Sequence, residues 1–465
     1  MKSNLQEWII DMKTPYLRAL SLIALIPLFP EYTSFFFAIG AFVFALQDIR
    51  QRQSKIRIGT IGKLLLAYCS YVTITSFFSE HQLQCFAVAA MWWFFFLVYL
   101  VIVNLLIDED RTDAFLMCIT GVAGVIGLIA CIQYRLDFFI DSNYGSIWEW
   151  LDKIVYEQLP LTLNLAVNPG RAHGSFSNPN MLAQYLVMVS PFVVCFNFIE
   201  RRRKLRLFSR ISLFLTFAGI LFSFSRGGYM ALLVLSIALI VINIRRRFAA
   251  VTLYVISALL FLPEEVMTRL FSVHKSITQN GRTAENLLSA FQTNPLIRNT
   301  PATAAPSTNV TNVVTQIDSD LAISERFEIW HQSIGHILER PFFGYGVGTE
   351  PTANLLHLDS GAVAPHAHNI VLQLLLEGGV FALILMTLIG FVTLRKGYKL
   401  FRSGNNRAFW MGFAVLGFAV CFLLHGMVDY PLTTPRLIGC FATLLGIIEQ
   451  SVHLYDSPTP ICKKV

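Results

Sequence analysis

Apolar runs of the length a helix needs to cross a bilayer recur from one end of this chain to the other, and they decide its fold class. Windows of roughly 15–25 residues fall near 15–30, 32–46, 64–78, 83–107, 114–134, 180–199, 211–224, 229–244, 248–262, 370–394, 408–428 and 437–453. They predict an all-α polytopic membrane protein of about twelve transmembrane helices. Several windows are shorter than the roughly 20 residues an upright span needs, so their boundaries can shift and a neighbouring pair can form one re-entrant element. Composition agrees: 55% hydrophobic and 14% charged residues with mean hydropathy +0.57 exceed the roughly 45–50% apolar share of soluble chains.

Lys and Arg set the orientation. Basic clusters occupy the turns Arg50–Lys63, Arg201–Arg210, Arg245–Arg247 and Arg395–Arg407, and the tail ends in Lys463 and Lys464. With twelve spans and an inside N-terminus, each of these lands on the cytoplasmic side, as the positive-inside rule requires. The turn Asp108–Asp113 is the one predicted inner turn that is not basic. The net charge of +7 is therefore a topology signal, and nucleic acid is not the partner it implies.

The same register divides the chain into three parts. Residues 1–263 carry helices one to nine, with an outer loop at 135–179. Residues 264–368 form one large outer loop between spans nine and ten, and 369–465 hold helices ten to twelve and a cytoplasmic tail. In the large loop, NTPATAAPSTNVTNVVTQ reads as a connector, whereas ISERFEIWHQSIGHILERPFFGYG has helical spacing. Its Ile323, Phe327, Trp330, Ile334 and Leu338 share one side, and Pro341 stops the helix. An amphipathic helix at the outer membrane surface fits this pattern. Of the eight cysteines, all but Cys462 lie in or beside the spans, which leaves no disulfide framework and no Cys-based metal site.

Chemistry-bearing residues gather on the predicted outer face: Arg171 beside GSFSNPN (Gly174–Asn180), Arg226 in SFSRGG, Arg326, and His368 in HNIVLQLLLEGG. An ionisable residue at a membrane junction is a functional candidate by default. On a helix Gly379, eleven residues after His368, lies on the same face. It gives a bare backbone strip below the histidine. Asn369, Gln373 and Glu377 form an adjacent polar stripe that must face the protein interior or a wet cavity. The bland readings are a helix-entry histidine, a packing glycine and an interhelical hydrogen-bond seam. Arg171 fits a second phosphate contact or a tie to loop carbonyls. His425 and Asp429, i and i+4, are spaced to hydrogen-bond each other, as an oriented imidazole or a tie between spans. Glu377 reads as architectural, paired with an arginine inside the bundle. His331 and His336, five apart, share no ligand face.

These strings, with RPFFGYGVGT (Arg340–Thr349) and HGMVDYPL after the eleventh span, resemble the O-antigen ligase and O-antigen polymerase superfamily of bacterial envelope glycosyltransferases from about Arg171 to Leu445. The chain departs from the family pattern at Ala382, where Gly, Thr or Tyr is common. The resemblance implies a type C glycosyltransferase-like fold in the bacterial cytoplasmic (inner) membrane, with its active site facing the periplasm or cell exterior. It implies transfer of a glycan from undecaprenyl diphosphate to an acceptor hydroxyl, on a glycan or lipid A-core, with inversion and with neither metal nor cofactor. The family's essential residues map onto Arg226, Arg326 and His368. The reading of the residues themselves adds Arg171, Asn180, Asn369 and Gly379 toward substrate and His425, Asp429 and Glu377 in support.

Elementary chemistry is compatible with that assignment. A diphosphate leaving group needs positive charge, and guanidinium forks meet phosphate oxygens two at a time. An acceptor hydroxyl needs a base that is neutral near pH 7, for which imidazole is suited. Ligation and polymerisation share these motifs, and the one dominant loop after span nine favours the ligase layout. A transporter predicts repeated halves and midplane charge, neither apparent here. A non-catalytic scaffold leaves the one-sided Arg and His set without a purpose.

Overall fold

The computed structural model describes residues 14–31, 33–136, 171–242, 323–358 and 363–456. Helices account for most of them: α1 Pro15–Leu25, running into a 3-10 turn at Ile26–Leu28, then α2 Thr33–Arg52, α3 Gly59–Ser76, α4 Gln82–Leu105 and α5 Glu109–Leu136. They continue as α6 Pro179–Ile199, α7 Arg203–Phe222, α8 Arg226–Ile242, α9 Ile323–Glu339, α10 Thr349–Ala353, α11 Ile370–Phe401, α12 Asn406–Gly426 and α13 Pro435–Asp456. An isolated bridge between His357 and Val363 is the only extended pairing among the described residues.

Eight of these helices (α2, α4, α5, α6, α7, α11, α12 and α13) are long and apolar enough to cross a membrane, and Pro15–Leu28 and α8 are shorter apolar helices. Eleven of the twelve apolar windows coincide with a described helix. The ninth, 248–262, lies outside the described residues, as do most of 135–179 and the connector of the long loop.

Burial sorts the bundle into a centre and a rim. The most apolar windows of α6 and α13 are 89% and 83% buried, against 28% for α2 and α7. A helix apolar on all sides belongs in the middle, and α6 has Phe192, Val193, Val194 and Cys195 in succession at 0% exposure. Small residues bring rim helices close: a Cβ on Gly127 of α5 would fall inside the Leu215 carbonyl of α7.

Helix α11 is broken. Gly379 has φ 64° and ψ −164° inside it, a backbone that favours glycine. The freed Val380 N–H donates to Pro341 O at 2.8 Å, and a Cβ at Gly379 would overlap the Phe342 carbonyl. This corrects the groove expected beneath His368, because the Pro341–Phe343 backbone fills the face that the bare strip exposes.

Candidate active site

His368 precedes α11 and is 1% exposed. Its φ of 47° places it with Gln53 and Phe224 as the described non-glycine residues of positive φ. Such a backbone costs about 1–3 kcal/mol and persists where its surroundings over-determine it. Here the surroundings are explicit. Trp330 Nε1 donates to Ala367 O at 3.0 Å, Ala367 N–H donates to Gln373 Oε1 at 2.7 Å, and His368 N–H donates to His366 Nδ1 at 3.3 Å. The imidazole is held through its Nδ1, 3.2 Å from Asp429 Oδ1.

Burial by itself would raise the Asp429 carboxyl. The His368 hydrogen bond and the neighbouring His366 and His425 imidazoles outweigh it and hold the group well below the usual carboxylate range. An ionised carboxylate only accepts, so Nδ1 of His368 is the donor in this hydrogen bond. Nε2 is buried with no hydrogen-bond partner among the described residues. Leaving such an atom unsatisfied costs about 1–3 kcal/mol.

The partner of Asp429 corrects the pairing read from spacing. Helix α12 ends at Gly426, and although the Asp429 N–H still donates to His425 O at 3.0 Å, its carboxylate meets His368. His425 instead lies 3.4 Å through Nε2 from Ser225 Oγ. That contact docks the SFSRGG junction against α12. Gly227 lacks a side chain where a Cβ would stand 2.7 Å from Val428 Cγ2 and 3.1 Å from His425 Cδ2. Arg226 opens α8 one residue before this contact.

Arg171 is 3% exposed, donating from Nε to Ser223 O at 3.0 Å and from Nη2 to Asn180 Oδ1 at 2.9 Å. Of the two readings of Arg171, the geometry favours the tie to loop carbonyls. Arg171 and Asn180 hold the turn that precedes Arg226. Arg436, which spacing did not single out, does similar work by donating to Phe29 O at 3.1 Å and Ser175 O at 2.6 Å.

Helix α9 brings Arg326 to the same neighbourhood, where its charge acts on His425. The packed side of α9 is Ile329, Trp330, Ser333 and Ile337, in register with Arg326. Phe327, Ile334 and Leu338 are 37%, 38% and 75% exposed, as the apolar side of a helix lying on a membrane surface would be. Trp330 ties this helix to the His368 loop, which places Arg326 one turn away from that tie.

The polar stripe of α11 is a seam. Asn369 caps the helix, accepting from Val371 N at 2.9 Å and Leu372 N at 3.2 Å, and donates to Met427 O at 3.2 Å. Glu377 accepts from Gln373 Nε2 at 2.9 Å, Tyr430 Oη at 3.1 Å and Gly348 N at 3.4 Å. Its partners are neutral donors, where an arginine was expected. Through Tyr430 and Gln373 it braces the residues on either side of the His368–Asp429 pair. Sequence reasoning passed over His366, Trp330, Tyr430 and Arg436. The H-A-H repeat was a visible signal for the first; Trp330 and Arg436 act on backbone carbonyls and Tyr430 on the Glu377 carboxylate, contacts that no motif announces.

Fold and site together define a helical, polytopic integral membrane protein with a buried imidazole–carboxylate pair between arginine-bearing elements. Residues 211–387 match the family described as O-antigen ligase, the family that the motifs resemble. The matched stretch includes Arg226, Arg326 and His368 and stops short of His425 and Asp429. The chain is also similar to the ComP-specific O-oligosaccharyltransferase of Acinetobacter baylyi, 27% identical over 130 residues, 27% of this chain. The match spans 23% of that relative's length.

Proposed function

We propose that this protein is an O-antigen ligase-like glycosyltransferase, moving a glycan from undecaprenyl diphosphate to an acceptor hydroxyl on the outer face of the bacterial cytoplasmic membrane. The observation that carries the reading is the partnerless, buried Nε2 of His368 opposite a carboxylate-bound Nδ1. Nε2 takes the acceptor proton as the hydroxyl oxygen attacks the anomeric carbon. The carbon–oxygen bond to the diphosphate breaks on the opposite face, its electron pair leaving with the phosphate, so the configuration inverts. Asp429 fixes the tautomer and stabilises the imidazolium that forms. Arg226 and Arg326 receive the charge that develops on the diphosphate, each with a two-point fork.

The test is glycan transfer in cells, normalised to membrane-inserted protein. His368→Ala should insert and lose about 10²–10⁴ in rate, leaving lipid-linked glycan to accumulate. Arg226→Lys and Arg326→Lys keep the charge but lose the fork and should lose most transfer. Near wild-type transfer in His368→Ala would reject the base, and in both lysine variants it would reject the clamp. A second reading takes its support from the relative named for O-oligosaccharide transfer specific to ComP: an acceptor other than lipid A-core. In a deletion strain, loss of attachment to lipid A-core supports ligation, loss from a glycosylated protein supports the second reading, and loss of chain length alone supports polymerisation.

A further inference from the structure

Proton transfer at His368 leaves one neighbouring group unused. His366, His368 and Asp429 are 7%, 1% and 6% exposed, and each offers one donor atom within 4.8 Å of the other two. Two imidazoles and one carboxylate form the three-ligand set that borderline divalent cations take when a fourth position stays open. Tetrahedral Zn²⁺ with bonds of about 2.0–2.1 Å needs donors roughly 3.3–3.4 Å apart. His368 Nδ1 and Asp429 Oδ1 already stand 3.2 Å apart, and the His366 ring centroid lies 4.1 Å from that of His368. Mg²⁺ and Ca²⁺ prefer larger shells of oxygen, which two imidazoles do not provide. The Arg326 charge nearby opposes any cation, so binding is weaker than at a structural zinc site.

We infer that His366, His368 and Asp429 form a binding site for a borderline divalent cation of the Zn²⁺ class. Coordination through Nδ1, the nitrogen that faces Asp429, leaves the proton of the neutral ring on Nε2, and it draws Asp429 from its hydrogen bond onto the metal. The consequence for activity rests on the reading of His368 as the base: the cation silences transfer, and chelation leaves activity intact, the reverse of a metalloenzyme.

The test uses the full-length chain, purified in detergent without a polyhistidine tag, and Co²⁺ as the visible probe. The expected result is one Co²⁺ per chain with an absorption band of low-coordinate cobalt, displaced by Zn²⁺ and not by excess Mg²⁺. Both His366→Ala and Asp429→Asn should weaken Co²⁺ by at least roughly tenfold, while His357→Ala, at an exposed position, should not. Absence of stoichiometric Co²⁺ binding by the wild type, or binding unchanged in both variants, overturns the site. Binding is read without any transfer assay, so it stands apart from the proposed function. Stoichiometric Co²⁺ with transfer unaffected by Zn²⁺ upholds the site and counts against His368 as the base.

Discussion

At the end of the bundle that holds Arg111, Lys396 and Arg407, each of these cations meets a carboxylate. Arg407 lies 2.9 Å from Asp113 and 3.1 Å from Glu109, Lys396 lies 3.2 Å from Glu449, and Arg111 lies 3.0 Å from Asp48. Glu449 also accepts from Thr60 N and Ile61 N, at 3.0 and 3.1 Å. At the other end, Arg171 and Arg436 are held chiefly by carbonyl and amide oxygens, and the one buried carboxylate–imidazole pair leaves an imidazole nitrogen without a partner. One end neutralises its charges and thereby fastens helices. The other fixes polar groups largely through backbone and amide contacts and leaves one buried imidazole nitrogen without a partner among the described residues, which costs stability.

The largest effect should separate the two ends by activity. Asp429→Asn removes the acceptor that sets the His368 tautomer, and transfer per inserted protein should fall about 10²–10⁴ with little change in melting temperature. A melting loss that accounts for the whole defect would erase the distinction. Next, Lys396→Met strips the partner from buried Glu449. Unpairing a buried ion costs about 3–5 kcal/mol, and the two amide donors keep the effect near the lower bound. Thermal unfolding in detergent should register the loss while transfer per folded protein stays near wild type. A specific activity defect there would mean that the ends are coupled.

Gly227→Ala places a methyl 2.7 Å from Val428 and 3.1 Å from His425. Overpacking of this kind costs about 1–3 kcal/mol and should lower transfer by shifting the Arg226 junction. Gly390→Ala meets nothing within 4 Å and should leave both stability and transfer unchanged. Equal effects at the two positions would show that the junction tolerates displacement.

The smallest effect is a pH dependence. Because the folded Asp429 carboxyl lies below its ordinary value of about 3.9, its ionised form contributes stability that is fully present above roughly pH 4. That stability is lost as pH falls through the lower folded value. The melting difference between wild type and Asp429→Asn should therefore be flat from neutral pH to about pH 5 and shrink in stronger acid. A difference that grows in acid reverses the sign and removes the argument for an ionised Asp429.

The spans were legible because membrane helices carry their burial requirement in every residue. Windows such as 180–199 and 408–428 coincide with α6 and α12 to within a few positions. The candidate chemistry was partly legible too. Arg226, Arg326 and His368 are charged or titratable groups at helix junctions, where hydrocarbon leaves few idle ones. Periodicity placed Phe327 and Leu338 together on the exposed side of α9 but did not show the second, packed side formed by Ile329 with Trp330. Spacing misled on Gly379, since a helical wheel assumes an unbroken helix and Gly379 interrupts it.

By itself, then, the amino-acid order determined a helical membrane bundle and the few residues able to handle a diphosphate and a hydroxyl. Hydropathy and side-chain chemistry are local properties that each residue carries wherever it lies. Tertiary structure alone decided that Asp429 serves His368 and that His366 stands beside them, across a sequence separation of about sixty residues. It also decided that Arg171 and Asn180 serve the Arg226 junction. A hydrogen bond between distant segments depends on where packed helices end and how the backbone turns there, and no residue states that on its own.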